Sequence, residues 1–341
     1  MRVKVKHIFQ ILFLIIVAGL MLYGLYCEWS AWYNNSDRKK ASGFVQVRPP
    51  SDVAAIVIKD NIVWAGGANG VYRIDRNTCS TIGRFGKEGE YAYTRALLAD
   101  SAGKLWIGHE RGLTCVHKDT VKTYTKADGL PDDRIQCLML AADGGIWGGT
   151  WEGAFLIKHD EIKTMSVRDG LLCNMVNVIL EDKEGGLWFG SYDAPRGGIS
   201  VLKNGVWQYF NTQNGLPHNN VTSMICDEEG GVWAGTGLFD RGGAVRFKRS
   251  GDKLEIAAVL EKKDGLAGEK VRSVFIDSRG NLWFGSEYDG IALFGKKGKR
   301  VFTTKDGLTD NEVKCIAKDQ EGYLWMGTRD GVTRMSGRLG E

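Results

Sequence analysis

Seven tryptophans stand in equivalent contexts along the chain: Trp64, Trp106, Trp147, Trp188, Trp233, Trp283 and Trp325. Their spacings are 42, 41, 41, 45, 50 and 42 residues. A period in the low forties is the signature of propeller blades, and it constrains the fold more tightly than any local propensity. Five repeats also carry Asp-Gly-Leu or Asn-Gly-Leu, in which Leu130, Leu171, Leu216, Leu266 and Leu308 each precede the tryptophan by 17 residues. The composition agrees: 46 glycines and 11 tryptophans against five prolines suit many short strands and tight turns.

One repeat parses into four strands. In the third, Ile135 to Leu140 is an apolar run, Ala-Asp-Gly-Gly makes a turn, and Ile146 to Thr150 returns. Ala154 to Lys158 then forms a third strand, His159-Asp160 turns, and Ile162 to Ser166 forms a fourth. The inner strands are near-continuously apolar, as expected when both faces of a sheet are covered by neighbouring blades. The repeated Trp is large enough to fill the roughly 10 Å gap between packed sheets, and the Gly two positions later leaves room for a close neighbour. The polar-Gly-Leu turn joins the outer strand of one blade to the inner strand of the next. Its Gly supplies a positive-φ turn and its Leu packs between blades. The last repeat stops after its third strand, "GVTRMSG", while "FVQVRPPSD" from Phe44 to Asp52 precedes the first inner strand as "RVFTTKDGL" precedes "NEVKCIAK". The N-terminal segment is therefore expected to complete blade seven and remove the open edge of the ring. The fold class is all-β: a seven-bladed β-propeller of four-stranded blades over residues 44–337, closed by an N-terminal strand.

The first residues form a separate object. Arg2, Lys4 and Lys6 precede a run from Ile8 to Cys27 that carries no charge and one polar residue, Gln10. That is about the 20 residues a helix needs to cross a bilayer. Tyr23, Tyr26, Trp29, Trp32 and Tyr33 cluster where an interfacial belt lies. A cleaved signal peptide is the alternative, but its apolar region is shorter, about 7–15 residues, and no small-x-small site follows the run. The expected organisation is a cytoplasmic tail at 1–7, one transmembrane helix at 8–27, a linker at 28–43, and the propeller on the extracytoplasmic side. The basic residues before the span favour a cytoplasmic N-terminus.

The Asp/Asn-Gly-Leu turn, the Asp-x-x-Gly turn (Asp182 with Gly185, Asp277 with Gly280) and "LW-x-G-T/S" resemble the repeat of the two-component regulator propeller family. The resemblance covers about residues 44–337, with blades 3 to 7 fitting closely, blade 2 following the degenerate turn "GKEG", and blade 1 keeping only the Trp and glycines. In such proteins the propellers form extracytoplasmic sensor regions, often in tandem, followed by a β-sandwich, a span and a histidine kinase. The resemblance implies ligand sensing in general terms and carries over no catalytic residue. Signalling then passes to a separate partner, a histidine kinase or another envelope protein.

The residues themselves point away from several classes. Lys and Arg number 45 against 41 Asp and Glu, and no stretch beyond the N-terminus interleaves basic and aromatic residues, so nucleic acid is not an expected partner. His7, His109, His117, His159 and His218 show no metal spacing, and neither a nucleophile elbow nor a phosphate loop is present. The Asp-x-x-Gly turns lack the ligand density of calcium loops, and turn capping accounts for them. No metal, cofactor or catalytic residue is assigned. Seven cysteines are scattered without a disulfide pattern; Cys137 and Cys315 share a small buried position and read as free thiols in the core.

Function is expected on loops the scaffold leaves free. The turn between second and third strands is short in most blades but lengthens in blades 4 and 5 to "GSYDAPRGG" and "GTGLFDRGG". Either these are tolerated insertions, or they build a binding rim. In the second reading Tyr192, Arg196, Phe239 and Arg241 converge on one sector, with Arg134, His218 and Tyr288 nearby. Arg can bind carboxylates or sulfates in bidentate fashion and aromatics can stack on rings, so the expected ligand is small and anionic or saccharide-like. The mouth of the central channel is the other available location. A propeller lyase or hydrolase is a second functional class, for which His218 with Glu269 and Glu287 is the one grouping to nominate. An envelope scaffold is a third.

Overall fold

A computed structural model describes residues 43–251 and 253–336. They form seven antiparallel sheets of four strands each. In blade 3 the strands are Ile135–Leu140, Ile146–Thr150, Gly153–Lys158 and Glu161–Met165, within a residue or two of the bounds read from sequence. The first strands of successive blades lie against one another, and the first strand of blade 7 lies against that of blade 1, so the ring closes. The span expected at 8–27 falls outside the described residues. Among those described, no helix is long and apolar enough to cross a membrane.

The closing strand is where the sequence places it. Phe44–Val47 pairs with Gly331–Met335 as the fourth strand of blade 7, with Phe44 opposite Met335 and Val47 opposite Val332. Gln46 Nε2 donates to the carbonyls of Gly307 and Leu308 at 3.1 Å, and Arg48 pairs with Asp330 at 2.7 Å. These bonds join residues some 260 positions apart in sequence, between the two ends of the ring.

The repeated residues explain the packing. Trp147 meets Phe189 of the next blade with ring centroids 5.6 Å apart, Trp188 meets Phe247 at 5.3 Å, and Trp233 meets Phe284 at 5.6 Å. Each tryptophan thus spans a blade interface, and Trp188, Trp283 and Trp325 are fully buried. Trp64 of the degenerate first blade is only half-buried. The Gly after the Trp is required by close approach: a Cβ on Gly285 or Gly327 would stand 2.6 or 2.7 Å from a carbonyl oxygen of the next blade's first strand. The Asp-x-x-Gly aspartates cap their own turns and, in four blades, also hold the tryptophan. Indole Nε1 donates to Asp100, Asp182, Asp277 and Asp319 at 2.8–3.2 Å.

The Asp/Asn-Gly-Leu turns are single 3-10 turns closed by a left-handed glycine, with φ near 110° at Gly129, Gly170, Gly215 and Gly265. Their leucines are buried, as is Leu308. A side chain seven residues on fixes four of the five turns from outside: Asp133, Asn174, Asn219 and Asn311 accept from the backbone N–H of Lys126, Val167, Thr212 and Thr304.

Candidate functional site: the channel mouth

In six blades the pairing of first and second strands skips one residue just after the first strand begins, as between Ile135 and Cys137 or Val271 and Ser273. A bulge of this kind re-aims the side chain it releases. The released residues are Ala54, Gln136, Asn177, Thr222, Arg272 and Lys314, and Arg95 holds the equivalent place in blade 2. All seven line one cavity of about 360 Å³ at the mouth of the central channel. That volume is at the lower end of the range of small-molecule sites, about 300–1,000 Å³.

The ring divides into two arcs. One is held by ion pairs that run across blades 6, 7 and 1. Buried Lys270 pairs with Glu287 at 3.0 Å, Glu287 faces Arg272, Arg272 pairs with Glu312 at 3.1 Å, and Lys314 bridges Glu312 and Asp52. These charges satisfy one another. The other arc is open. Arg95 is exposed, and its guanidinium has no partner among the described residues. Gln136 and Asn177 spend only their amide N–H groups, on the carbonyls of Arg134 and Val221, which leaves their amide oxygens toward the cavity wall as acceptors. Above this arc stand Trp151, 39% exposed at the start of the blade 3 turn, and Tyr192 from the blade 4 turn. A second hollow, between blades 2 and 3, shares Arg95, Gln136 and Trp151 with the first and adds Tyr93, Glu110 and Arg134.

The residues expected from sequence separate here. Tyr192 lines the mouth, with Lys270 Nζ 5.8 Å from its ring centre. Arg134 lines the adjoining hollow, fixed by bidentate bonds to Asp132 at 2.6 and 2.9 Å and lying 4.9 Å over Trp151. Those bonds hold the Asp132 carboxyl below its usual range. Phe239 and Tyr288 flank a different groove, with Glu269, Lys270 and Asp289. The four long-turn residues therefore do not share one cavity. Arg196 leans on Asp193 with its side chain 81% exposed, and it and Arg241 line neither hollow.

The two lengthened turns also differ in kind. That of blade 4 is tied down through Asp193, which accepts from Arg196, and through Ala194, whose carbonyl accepts from Asn219. That of blade 5 is a continuation of the ladder: Leu238 pairs with Arg241, and Phe239, with φ 53°, forms the hairpin tip. The hairpin register carries Phe239 outward, leaving it 69% exposed.

His218 does not assemble with Glu269 or Glu287. Its Nδ1 accepts from the N–H of Asn220 at 2.9 Å, while Glu287 is committed to Lys270. Burial, then the charges of Arg241 and Lys270, lower its pKa. Among the described residues no group of three or more His, Cys, Asp and Glu could hold a metal. Cys137 and Cys315 are free thiols, which burial pushes up to about 12.

Arg95, Gln136, Asn177 and Trp151 do not stand out in the sequence. Their signal is positional: Gln136 and Asn177 each follow the opening residue of an inner strand by one step, and Arg95, just before the strand Ala96–Ala99, holds the equivalent place in the repeat.

Comparison with known proteins accords with this architecture. The two-component regulator propeller family matches at 170–193, 215–237, 265–288 and 307–330, one stretch in each of blades 4 to 7; the blade 3 repeat is not among them. No curated protein matches the chain. The extracellular domain assigned to a hybrid two component system from B. thetaiotaomicron superposes with a TM-score of 0.74 at 20% identity, covering 87% of this chain and 41% of that one. A second such domain, assigned to a one component system of the same organism, gives 0.67 at 18%, covering 87% and 40%. The chain thus spans about two fifths of the extracellular domains it matches. Virginiamycin B lyase from Staphylococcus aureus gives 0.65 at 15%, covering 86% of this chain and 98% of the lyase. At these identities the likeness is one of fold. The chain is a seven-bladed propeller in which one stretch in each of blades 4 to 7 matches the two-component regulator propeller repeat.

Proposed function

We propose that this protein is a non-catalytic, sensor-like propeller that binds a small anionic or saccharide-like ligand at the open arc of its channel mouth. The observation that carries this reading is the unpaired Arg95 guanidinium beside two amide acceptors, with the exposed Trp151 ring and the half-buried Tyr192 ring in the same cavity, in a ring whose other charges are all spent on each other. A guanidinium without a carboxylate is ready for an external one, and Trp151 and Tyr192 offer faces on which a ring can stack. The apolar run at 8–27 supports a single-pass anchor with the propeller outside the cytoplasm, and the family's extracellular relatives support the same side. In this reading a separate envelope protein would carry the signal.

The test is a binding screen of the full chain in detergent against acidic metabolites and oligosaccharides, parent beside Arg95→Ala and Trp151→Ala. Loss of one charge-assisted contact should weaken binding by roughly tenfold or more, about 1.5–3 kcal/mol. Arg196→Ala and Arg241→Ala should bind as the parent does. Equal binding by parent and both mouth variants would move the site away from the channel. Turnover of any bound compound would replace this reading with the enzymatic one.

A further inference from the structure

We propose that the outer hairpin of blade 6, residues 296–300, is a docking surface for the anionic headgroups of a lipid bilayer. The hairpin joins Ile291–Gly295 to Gly298–Phe302 and reads Lys-Lys-Gly-Lys-Arg, all five residues exposed. Two of its cations are held in place. Lys299 donates to the Asp264 carbonyl and lies 4.8 Å over Phe294, and Arg300 lies 4.3 Å over Phe302 and 3.5 Å from Asp306. The other two, Lys296 and Lys297, have no acidic partner among the described residues. A Cβ added at Gly298 would meet no atom within 4 Å, so the turn opens to solvent on that side.

Register relates this tip to the point where residues 1–42 join the propeller. In blade 6 Phe302 pairs with Ile291, which pairs with Gly285; in blade 7 Val47 pairs with Val332, which pairs with Gly327. Gly285 and Gly327 are the equivalent glycines two residues after their tryptophans, so Lys299 corresponds to Phe44 and Gly298 to Gly43. The chain therefore joins blade 7 at the position that the lysine tip occupies in the blade beside it. Both lie at the end of the blades opposite the channel-mouth rows. In the sequence, Arg38, Lys39 and Lys40 come just before this junction. A Lys or Arg near an anionic lipid surface contributes about 1 kcal/mol, within a screening length of that surface. The orientation, with the mouth turned from the bilayer, rests on the anchored reading above; the lipid affinity of the hairpin does not.

The fragment 43–341 contains the closing strand and every strand of the ring, so the surface can be tested without the leading segment. It would be sedimented with vesicles of phosphatidylcholine alone and of equal parts phosphatidylcholine and phosphatidylglycerol, at low and high salt. Binding to the anionic vesicles alone, lost at high salt, is expected, with Lys296→Gln/Lys297→Gln weakening it by roughly tenfold or more. Lys126→Gln/Arg168→Gln removes the same charge from turns at the mouth end and should bind like the parent. The proposal is overturned if the fragment ignores phosphatidylglycerol, if the hairpin variant binds as the parent does, or if both variants lose binding equally. None of these outcomes touches ligand binding at the mouth or the anchor.

Discussion

His109 stands where blades 3 to 7 have Thr or Ser, and it does the same job: its Nδ1 accepts from the N–H of Arg111 at 3.2 Å, as Thr150 accepts from Glu152 and Thr328 from Asp330. Its Nε2 meets Thr114 at 3.0 Å, which fixes a neutral ring with the proton on Nε2. Burial, reinforced by the charge of Arg111, lowers its pKa to about 4. Because the folded value lies below the unfolded one, stability contributed by the neutral ring is present above about pH 6.5 and drains as pH falls toward 4, by an amount on the order of 3 kcal/mol. His109→Gln should therefore flatten the decline in melting temperature between neutral pH and pH 5; an unchanged decline would show that other groups set it. Asp182 titrates in a lower window. Burial alone would raise its carboxyl, but bonds from Trp188, Gly186 and Arg249 together hold it below its usual range, so its contribution is lost only as pH falls below about 4. Asp182→Ala leaves the buried Arg249 with only the half-exposed Glu184, and should cost about 3 kcal/mol in a denaturant titration. Asp182→Asn, which keeps the turn and indole bonds, should cost less. The turn-capping role of these aspartates was legible in the sequence; the indole bond was not, because its partner lies six residues on across the hairpin.

At the scale of elements, the interblade turn is where sequence pattern and structure coincide most closely. A polar residue, Gly and Leu translate into a 3-10 cap, a left-handed closure and a buried plug. Two glycines separate strain from space. Gly185 has φ 79° and no atom within 4 Å of the place a methyl would take, so Gly185→Ala should cost only the left-handed penalty, about 1–2 kcal/mol. Gly307 has φ 125°, and its Cβ would stand 2.8 Å from that of Phe44, so Gly307→Ala adds a collision with the closing strand and should cost distinctly more. Equal midpoints for the two variants in urea would mean that the closing strand yields freely. Strand positions were legible because inner strands are apolar on both faces and turns carry their own residues. The blade 5 hairpin reads as a loop in the sequence for a physical reason: its glycines, Gly237, Gly242 and Gly243, continue the pairing at positive φ, and glycine gives no sign of strand in a sequence. The same blade grows at its other end, through Arg241–Ser250 and Lys253–Leu260, and that growth together with the longer turn accounts for the 50-residue step between Trp233 and Trp283.

For the whole molecule, periodicity carries seven blades and their closure, yet it points to a different part of the rim from the open arc of the mouth. Length variation draws attention to the blade 4 and 5 turns, whereas the channel mouth is written in one residue per blade, and only the ring makes seven such residues neighbours. Closure itself can be tested by length. Removing residues 1–42 keeps Phe44–Val47, while removing 1–52 takes away that strand and with it the bonds of Gln46, Arg48 and Asp52 to blade 7 and its preceding turn. Phe302 and Met335, fully buried in the ring, would then face water, and burial of a single such side chain is worth about 1.5–3 kcal/mol. Together with the lost Phe44 and Val47 this amounts to several kcal/mol, roughly 5–10 °C in melting temperature for a domain of this size. The longer deletion also leaves Gly331–Met335 as an unpaired edge, so aggregation on heating is the expected companion of the lower melting point. The shorter deletion should melt cooperatively and reversibly. If the two fragments melt together, blades 1 and 7 hold each other through their first strands alone, and the fourth strand is a cover rather than the clasp of the ring.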